Sequence, residues 1–246
     1  MTNLSRFSVI RFLAFGLLLT LAASAHAQQR PQIAQDVAKA YGLDSFGQIE
    51  AIRYTFTIQL PSLNLNLSRS WEWHPKTDTV TYEGKDKDGK PVKVTYQRSQ
   101  LSSQNDQVKN EVDPGFVNDQ YWLVFPFHVV WDGSPTVTDD GMQKLPIAKT
   151  PAQRIVVKYP SDGGYTPGDT WTLYVGPDKR IREFEFHRGG SKKPSEVITT
   201  WAGYRKAGPL LVSTDHRGTA DGKPVHIFFS NVSVQLSGSK NWITAR

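Results

Sequence analysis

From Gln48 onward the apolar positions recur with a period of two. Ile52, Tyr54, Phe56, Ile58 and Leu60 alternate with Arg53, Thr55, Thr57 and Gln59; beyond Pro61-Ser62, Leu63, Leu65, Leu67, Trp71 and Trp73 alternate with Asn64, Asn66, Ser68, Ser70 and Glu72. Successive side chains of a strand point to opposite faces, so this spacing predicts two long half-buried strands, joined at Pro61-Ser62 and greasy on one side. The pattern continues through residues 79–82 and 92–96, which flank Lys87-Asp88-Gly89-Lys90-Pro91. A second copy of that turn, Ala220-Asp221-Gly222-Lys223-Pro224, joins 210–215 to 225–236, and Gly176-Pro177-Asp178-Lys179 joins 170–175 to 180–187. Asp-Gly supplies the positive φ of tight hairpin turns in the first two, and with the Gly-Pro-Asp-Lys turn the three hairpin signals predict an antiparallel meander. The period changes at two places. Ile33, Val37, Ala40 and Tyr41 share one helical face and Gly42 is a stop signal, which predicts a helix over 33–41. Residues 114–120 suit a short helix leading into Tyr121-Trp122-Leu123-Val124-Phe125-Pro126-Phe127-His128-Val129-Val130-Trp131, where Pro126 predicts an irregular apolar segment packed on the sheet. Residues 99–110 read as polar and turn-rich, and 132–144 as a loop.

The N-terminus changes the picture of where this body works. Arg6 and Arg11 precede an apolar run of about a dozen residues, and Ala25-His26-Ala27 has the spacing of a signal-peptidase site. Residues 1–27 therefore read as a secretory signal peptide, too short in its apolar part for a spanning helix, which needs about 20 residues. Removing these 27 of 246 residues leaves 219, and removing their two arginines lowers the net charge from +6 to +4. The expected location is the periplasm, and the expected organisation is one domain over 28–246, since no Pro/Gly/Ser linker divides it. With no cysteine the chain has no disulfide, thiolate nucleophile or iron–sulfur ligand, and no lipidated cysteine for a lipoprotein anchor. Seven Trp, nine Tyr and twelve Phe speak for an ordered core.

Catalytic searches mostly fail. There is no G-x-G-x-x-G, Walker loop, H-E-x-x-H or G-x-S-x-G. Ser237-Gly238-Ser239-Lys240 fits S-x-x-K, but in a polar tail after the last strand. His74, His128, His187, His216 and His226 form no metal-binding pair and read as exposed or satisfied strand residues; Asp215 and His216 are adjacent and must point to opposite faces. Glu183 and Glu185 share a face and read as solvated. No catalytic residue, metal or cofactor is assigned. The basic run over 187–193 reads as a solvated loop or a contact for anionic lipid headgroups. Nucleic acid is excluded by the location.

What stands out is the apolar face itself, which must be covered by a packed core or must hold an apolar ligand. Arg69 interrupts it, which is costly unless the guanidinium is paired or reaches a cavity mouth. Taken with the signal peptide and first helix, Tyr54-Thr55-Phe56, Trp71-Glu72-Trp73, the 121–127 aromatic run, Trp201-Ala202-Gly203-Tyr204-Arg205, Leu210-Leu211-Val212-Ser213-Thr214 and Phe229-Ser230-Asn231-Val232 resemble the LolA-like, outer-membrane lipoprotein-sorting superfamily. The resemblance implies a mainly β fold: a curved, incomplete antiparallel β-barrel with helices covering its concave face. It also implies a carrier of acylated proteins across the periplasm, with an arginine on an early strand controlling the lid; Arg69 takes that place. The stretches 97–111 and 132–144 depart from the carrier and suggest a branch apart from it. The expectation is a monomeric, non-enzymatic periplasmic carrier or binding protein for lipid, acylated protein or another apolar ligand, in transient contact with membrane or envelope proteins. Its ligand-binding residues are Tyr54, Phe56, Leu65, Leu67, Arg69, Trp71, Trp73, Trp122 and Phe125. The alternative is a periplasmic structural or sensing module that binds a protein partner through its loops.

Overall fold

The computed structural model describes residues 30–86, 88–190, 193 and 195–246, so the signal-peptide segment lies outside the described residues. Helix α1, Gln32–Ala40, buries Ile33, Ala34, Val37 and Ala38, a stripe at helical spacing. It ends at Tyr41, and Gly42 follows at φ 103° with its missing Cβ only 2.6 Å from the Pro209 carbonyl oxygen, a position only glycine can hold.

The strands are β1 Ile49–Leu60, β2 Leu65–His74, β3 Thr79–Lys85, β4 Pro91–Gln97, β5 Thr136–Lys144, β6 Pro151–Lys158, β7 Thr170–Val175, β8 Ile181–His187, β9 Glu196–Thr200, β10 Arg205–Ala207, β11 Leu210–Val212, β12 Asp215–Ala220, β13 Lys223–Leu236 and β14 Trp242–Thr244. Twelve of them form one antiparallel sheet in the order β4-β3-β2-β1-β13-β12-β9-β8-β7-β6-β5, with β14 on β13; β10 and β11 pair separately. Edges β4 and β5 do not pair with each other, so the barrel is incomplete. Hairpins join β3 to β4 and β7 to β8 where the sequence puts them; the Asp221-Gly222 turn also forms, but it joins β12 to β13, whereas 210–212 is β11 and pairs with β10. In register, Tyr54 faces Trp71, Phe56 faces Arg69 and Ile58 faces Leu67, so the apolar sets of β1 and β2 line one side of the sheet. Leu63 is the exception. It sits in the 3₁₀ turn Pro61–Leu63, which Asn64 closes at φ 49°, and is 71% exposed rather than part of the strand face.

Two further readings are corrected. The 132–144 segment is no loop, because Thr136–Lys144 forms β5. It is an edge strand, bulged between Asp139 and Met142 and mostly exposed, so it carries none of the alternation that marks a half-buried strand. The 121–131 segment is mostly helical, within α2, Asp113–Trp131, which follows a π-helical turn at Val108–Val112, but α2 is two helical pieces joined across a kink. The backbone departs from helical geometry at Val124 (φ −118°, ψ 16°), two residues before Pro126, which lacks an N–H and crowds the carbonyl of Trp122. Fourteen of the nineteen residues of α2 are buried, as befits a helix apolar all round. It crosses the concave side of the sheet: Phe116 packs on Trp71 and Trp73 of β2, while Trp122 and Phe125 pack on Trp171 of β7 and Phe184 of β8.

Candidate functional site

Between α2 and the inner face of the sheet, the interior is not fully filled. A cavity of about 380 Å³ is bounded by Phe56, Ile58 and Leu60 of β1, Trp171 of β7, Phe186 of β8, Val197 of β9, Val225 and Ile227 of β13, and Asn118 and Trp122 of α2. Its walls come from alternate positions on each strand, the inward half of the period-two pattern. Asn118 and Trp122 are four residues apart and so share a helix face. Arg188, Ser195, Asp221, Lys223 and Leu63 also border it, a polar rim around an apolar interior. The volume lies within the range of small-molecule sites. A second hollow of about 510 Å³, under the Gly164–Pro167 loop, shares Asn118, Trp171, Phe186 and Arg188 with the first.

One residue along from Asn118, the helix turns a carboxylate toward β2. Asp119 is wholly buried; it accepts hydrogen bonds from Arg69 Nε (2.7 Å) and Nη2 (2.5 Å), from Trp71 Nε1 (2.9 Å) and from Asn118 Nδ2 (3.0 Å). Burial pushes this carboxyl up, against the pull of the Arg69 guanidinium and the other donors. Arg69 is thus both paired and at an edge of the interior, where it lines a hollow of about 100 Å³ with Leu67, Tyr82 and Glu111. Two more carboxylates fix the ends of α2. Asp113, wholly buried, accepts from Tyr96 (2.8 Å), Arg98 Nε (2.8 Å) and Tyr165. Asp132 accepts from Tyr121 (2.9 Å) and Tyr159 (2.5 Å) and pairs with His128 Nδ1 (2.9 Å). Burial alone would raise Asp132, but the His128 contact and the two phenols hold it below the usual carboxylate value.

Of the residues singled out in the sequence, Phe56 and Trp122 line the cavity. Leu65, 40% exposed, lies across from Leu60 at its mouth. Tyr54, Trp71 and Phe125 are packed in the core, and Trp73 lies against Phe46 and Phe116. Leu67 and Arg69 face the smaller hollow. Residues the sequence reading passed over are Asp119, Asn118, Trp171, Phe186 and Ile227. Phe186 and Ile227 sit in visible alternation, whereas Asp119 gives no local signal, because its partner lies 50 residues away.

The histidines are more varied than read. His128 is a helix residue held between Asp132 and Gln120. His216 is fully buried, and its Nε2 has no partner. Asp215 and His216 do point to opposite faces: Asp215 pairs with His226 (2.6 Å) and Arg217 (3.1 Å) outside. Glu183 is not solvated. It is 3% exposed and accepts the backbone N–H groups of Ile147 (2.6 Å) and Ala148 (2.9 Å), pinning the loop between β5 and β6 to the convex side. Among the described residues, no group of three or more His, Asp or Glu is placed to hold a metal ion, and no helix is long and apolar enough to cross a membrane.

No family model matches the chain, and no curated protein is significantly similar to it. Among solved structures, three resemble it at low sequence identity. A putative outer membrane lipoprotein-sorting protein domain from Vibrio parahaemolyticus is 11% identical, with a TM-score of 0.48 over 88% of this chain and 96% of that one. A LolA superfamily protein from Nitrosomonas europaea is 11% identical, with a TM-score of 0.45 over 82% and 93%. A DUF1329 family protein from Desulfovibrio piger is 10% identical, with a TM-score of 0.45 over 86% and 95%.

Proposed function

We propose that residues 28–246 form one exported, periplasmic, non-enzymatic binding domain that carries an apolar ligand, a lipid or the acyl chains of an acylated protein, in the cavity between α2 and the concave face of the sheet. The observation that carries this reading is the 380 Å³ cavity itself: its interior is aliphatic and aromatic, its rim is polar, and exposed Leu63 stands beside it. Helix α2 is the lid, and the Arg69–Asp119 pair is its latch on β2. Uncovering a few hundred Å² of apolar surface beneath the helix, at about 25 cal/mol per Å², provides on the order of several kcal/mol for an apolar ligand to recover.

Uptake of a fluorescent fatty acid tests this. Ile58→Asp and Leu60→Asp put a carboxylate on the cavity wall at partly exposed positions. Both should weaken uptake at least about tenfold, since a desolvated unpaired charge costs well over 1.4 kcal/mol. Glu72→Ala, outside the cavity and hydrogen-bonded to His74, should leave uptake unchanged. Folded wild-type protein that takes up no apolar probe would shift the assignment to a module that binds a protein partner through its loops.

A further inference from the structure

Trp122 borders the cavity and also reaches past it. Its ring packs on Trp171 (centroids 5.8 Å apart), Trp201 (6.5 Å) and His216 (5.9 Å). Each of those three carries a buried ring nitrogen with no hydrogen-bond partner: Nε1 of Trp171, Nε1 of Trp201 and Nε2 of His216. Thr199 Oγ1, on β9, is also buried and unpartnered; Thr199 lies across from Gly218, two residues beyond His216 on β12. Buried polar atoms are nearly always paired, so three orphans on rings packed around one side chain, with a fourth on the neighbouring strand, call for a reason. Apolar side chains of the same shapes would fill the space at no such cost. None of the four atoms has appreciable solvent access in the closed structure, and Trp122 packs against the Trp201 and His216 rings.

Their chemistry restricts what replaces Trp122. His216 Nδ1 lies 3.3 Å from the Thr200 carbonyl oxygen, which only accepts, so Nδ1 carries the proton and Nε2 is left as an acceptor. Burial keeps the ring neutral, pushing its pKa down to about 3. The tryptophan nitrogens only donate, and the threonine hydroxyl does either. A carboxylate or an ester carbonyl only accepts and would leave Nε2 unsatisfied; an ammonium only donates. A hydroxyl donates to Nε2 and accepts from an indole N–H at once.

We propose that Trp122 is a plug over an inner compartment with a polar floor, and that the ligand displacing it carries a hydroxyl group on an otherwise apolar body. This deepens the reading of the cavity as an apolar-ligand site and rests on it.

Displacement of a polarity-sensitive fluorescent fatty acid by palmitic acid and by ω-hydroxypalmitic acid tests it on the exported protein. In both competitors the carboxylate stays at the rim, beside Arg188 and Lys223, and only the second brings a hydroxyl to the inner end. On wild type the hydroxylated acid should displace the probe at about tenfold lower concentration, the worth of satisfying one or two neutral hydrogen-bonding groups. In His216→Phe, and independently in Thr199→Val should the first fail to fold, that ratio should fall toward one. Equal potency of the two acids on wild type, or a ratio unchanged in the folded variants, overturns the polar floor while leaving the apolar site standing. Displacement by neither acid overturns both readings.

Discussion

Arg69 and Asp119 each make sense only through the other. On its own, Arg69 is a charge set into the apolar face of β2, and Asp119 a carboxylate at zero exposure in an apolar helix. The bidentate contact, with Trp71 and Asn118 as further donors, satisfies the carboxylate oxygens on both sides. Breaking such a pair from one end leaves a buried charge, whereas removing both ends does not. Arg69→Leu or Asp119→Leu alone should therefore cost about 3 kcal/mol in denaturant melts, and the double variant should recover most of that loss. Additive losses would show that the pair is no latch. At this scale the sequence revealed half of the arrangement. Arg69 stands out because it violates a period-two pattern; Asp119 does not, because a helix apolar all round has no polar face to violate. The orphaned atoms of Trp171, Trp201 and His216 leave no trace in the sequence either, since whether a buried nitrogen finds a partner is decided by strands far apart in the chain.

Elements were legible where one face meets water and the other does not. β1, β2 and the hairpins flanking Gly89, Gly222 and the Gly176 turn show clean alternation or turn chemistry, and α1 shows its stripe in Ile33, Val37 and Tyr41, although Ala40, read onto the same face, is exposed and Ala38 is buried instead. Two kinds of element escaped for opposite reasons: β5 is exposed almost throughout, and α2 is buried almost throughout, so neither has the contrast that periodicity detects. Pro126 does mark a break in regular helix, the kink at Val124, but tertiary packing on both flanks keeps helical pieces on either side of it. The stop of α1 has a sharp physical basis. At Gly42 a Cβ would meet the Pro209 oxygen at 2.6 Å, in a left-handed conformation that side chains resist. Gly42→Ala should lower stability by about 1–3 kcal/mol, read as a fall in melting temperature, while Gly47→Ala, with open space around its Cβ, should do far less.

The whole molecule depends on β13, which brings residues near the end of the chain against β1 and joins the two runs of strands into one open sheet. That pairing spans most of the chain and has no local signature; a meander was readable, but not which strands would meet at its centre. On its other side β13 pairs with β12 and sets Ile227 opposite His216, which places the imidazole in the shared core, against Trp122, Trp201 and Phe229. Its neighbours Asp215 and His226 lie on the opposite face of the sheet and hydrogen-bond to each other. Burial holds His216 neutral, with its pKa lowered from 6.5 to about 3. In the unfolded chain it takes up a proton below about pH 6.5, so the unfolded state binds more protons there and stability falls as pH drops through that value. The loss grows by about 1.4 kcal/mol per pH unit until the folded pKa is reached, or about 2 kcal/mol at pH 5. For a domain of about 200 residues this corresponds to a fall in melting temperature of roughly 4–8 °C between pH 7.5 and pH 5. Carboxylates such as Asp132, held low in the folded state, lose their contribution only below about pH 4, so the two effects separate along the pH axis. His216→Phe should flatten the profile between pH 7 and pH 5 while keeping the acid limb below pH 4. A profile between pH 7.5 and pH 5 that His216→Phe leaves unchanged would mean that His216 is not held neutral in the folded core.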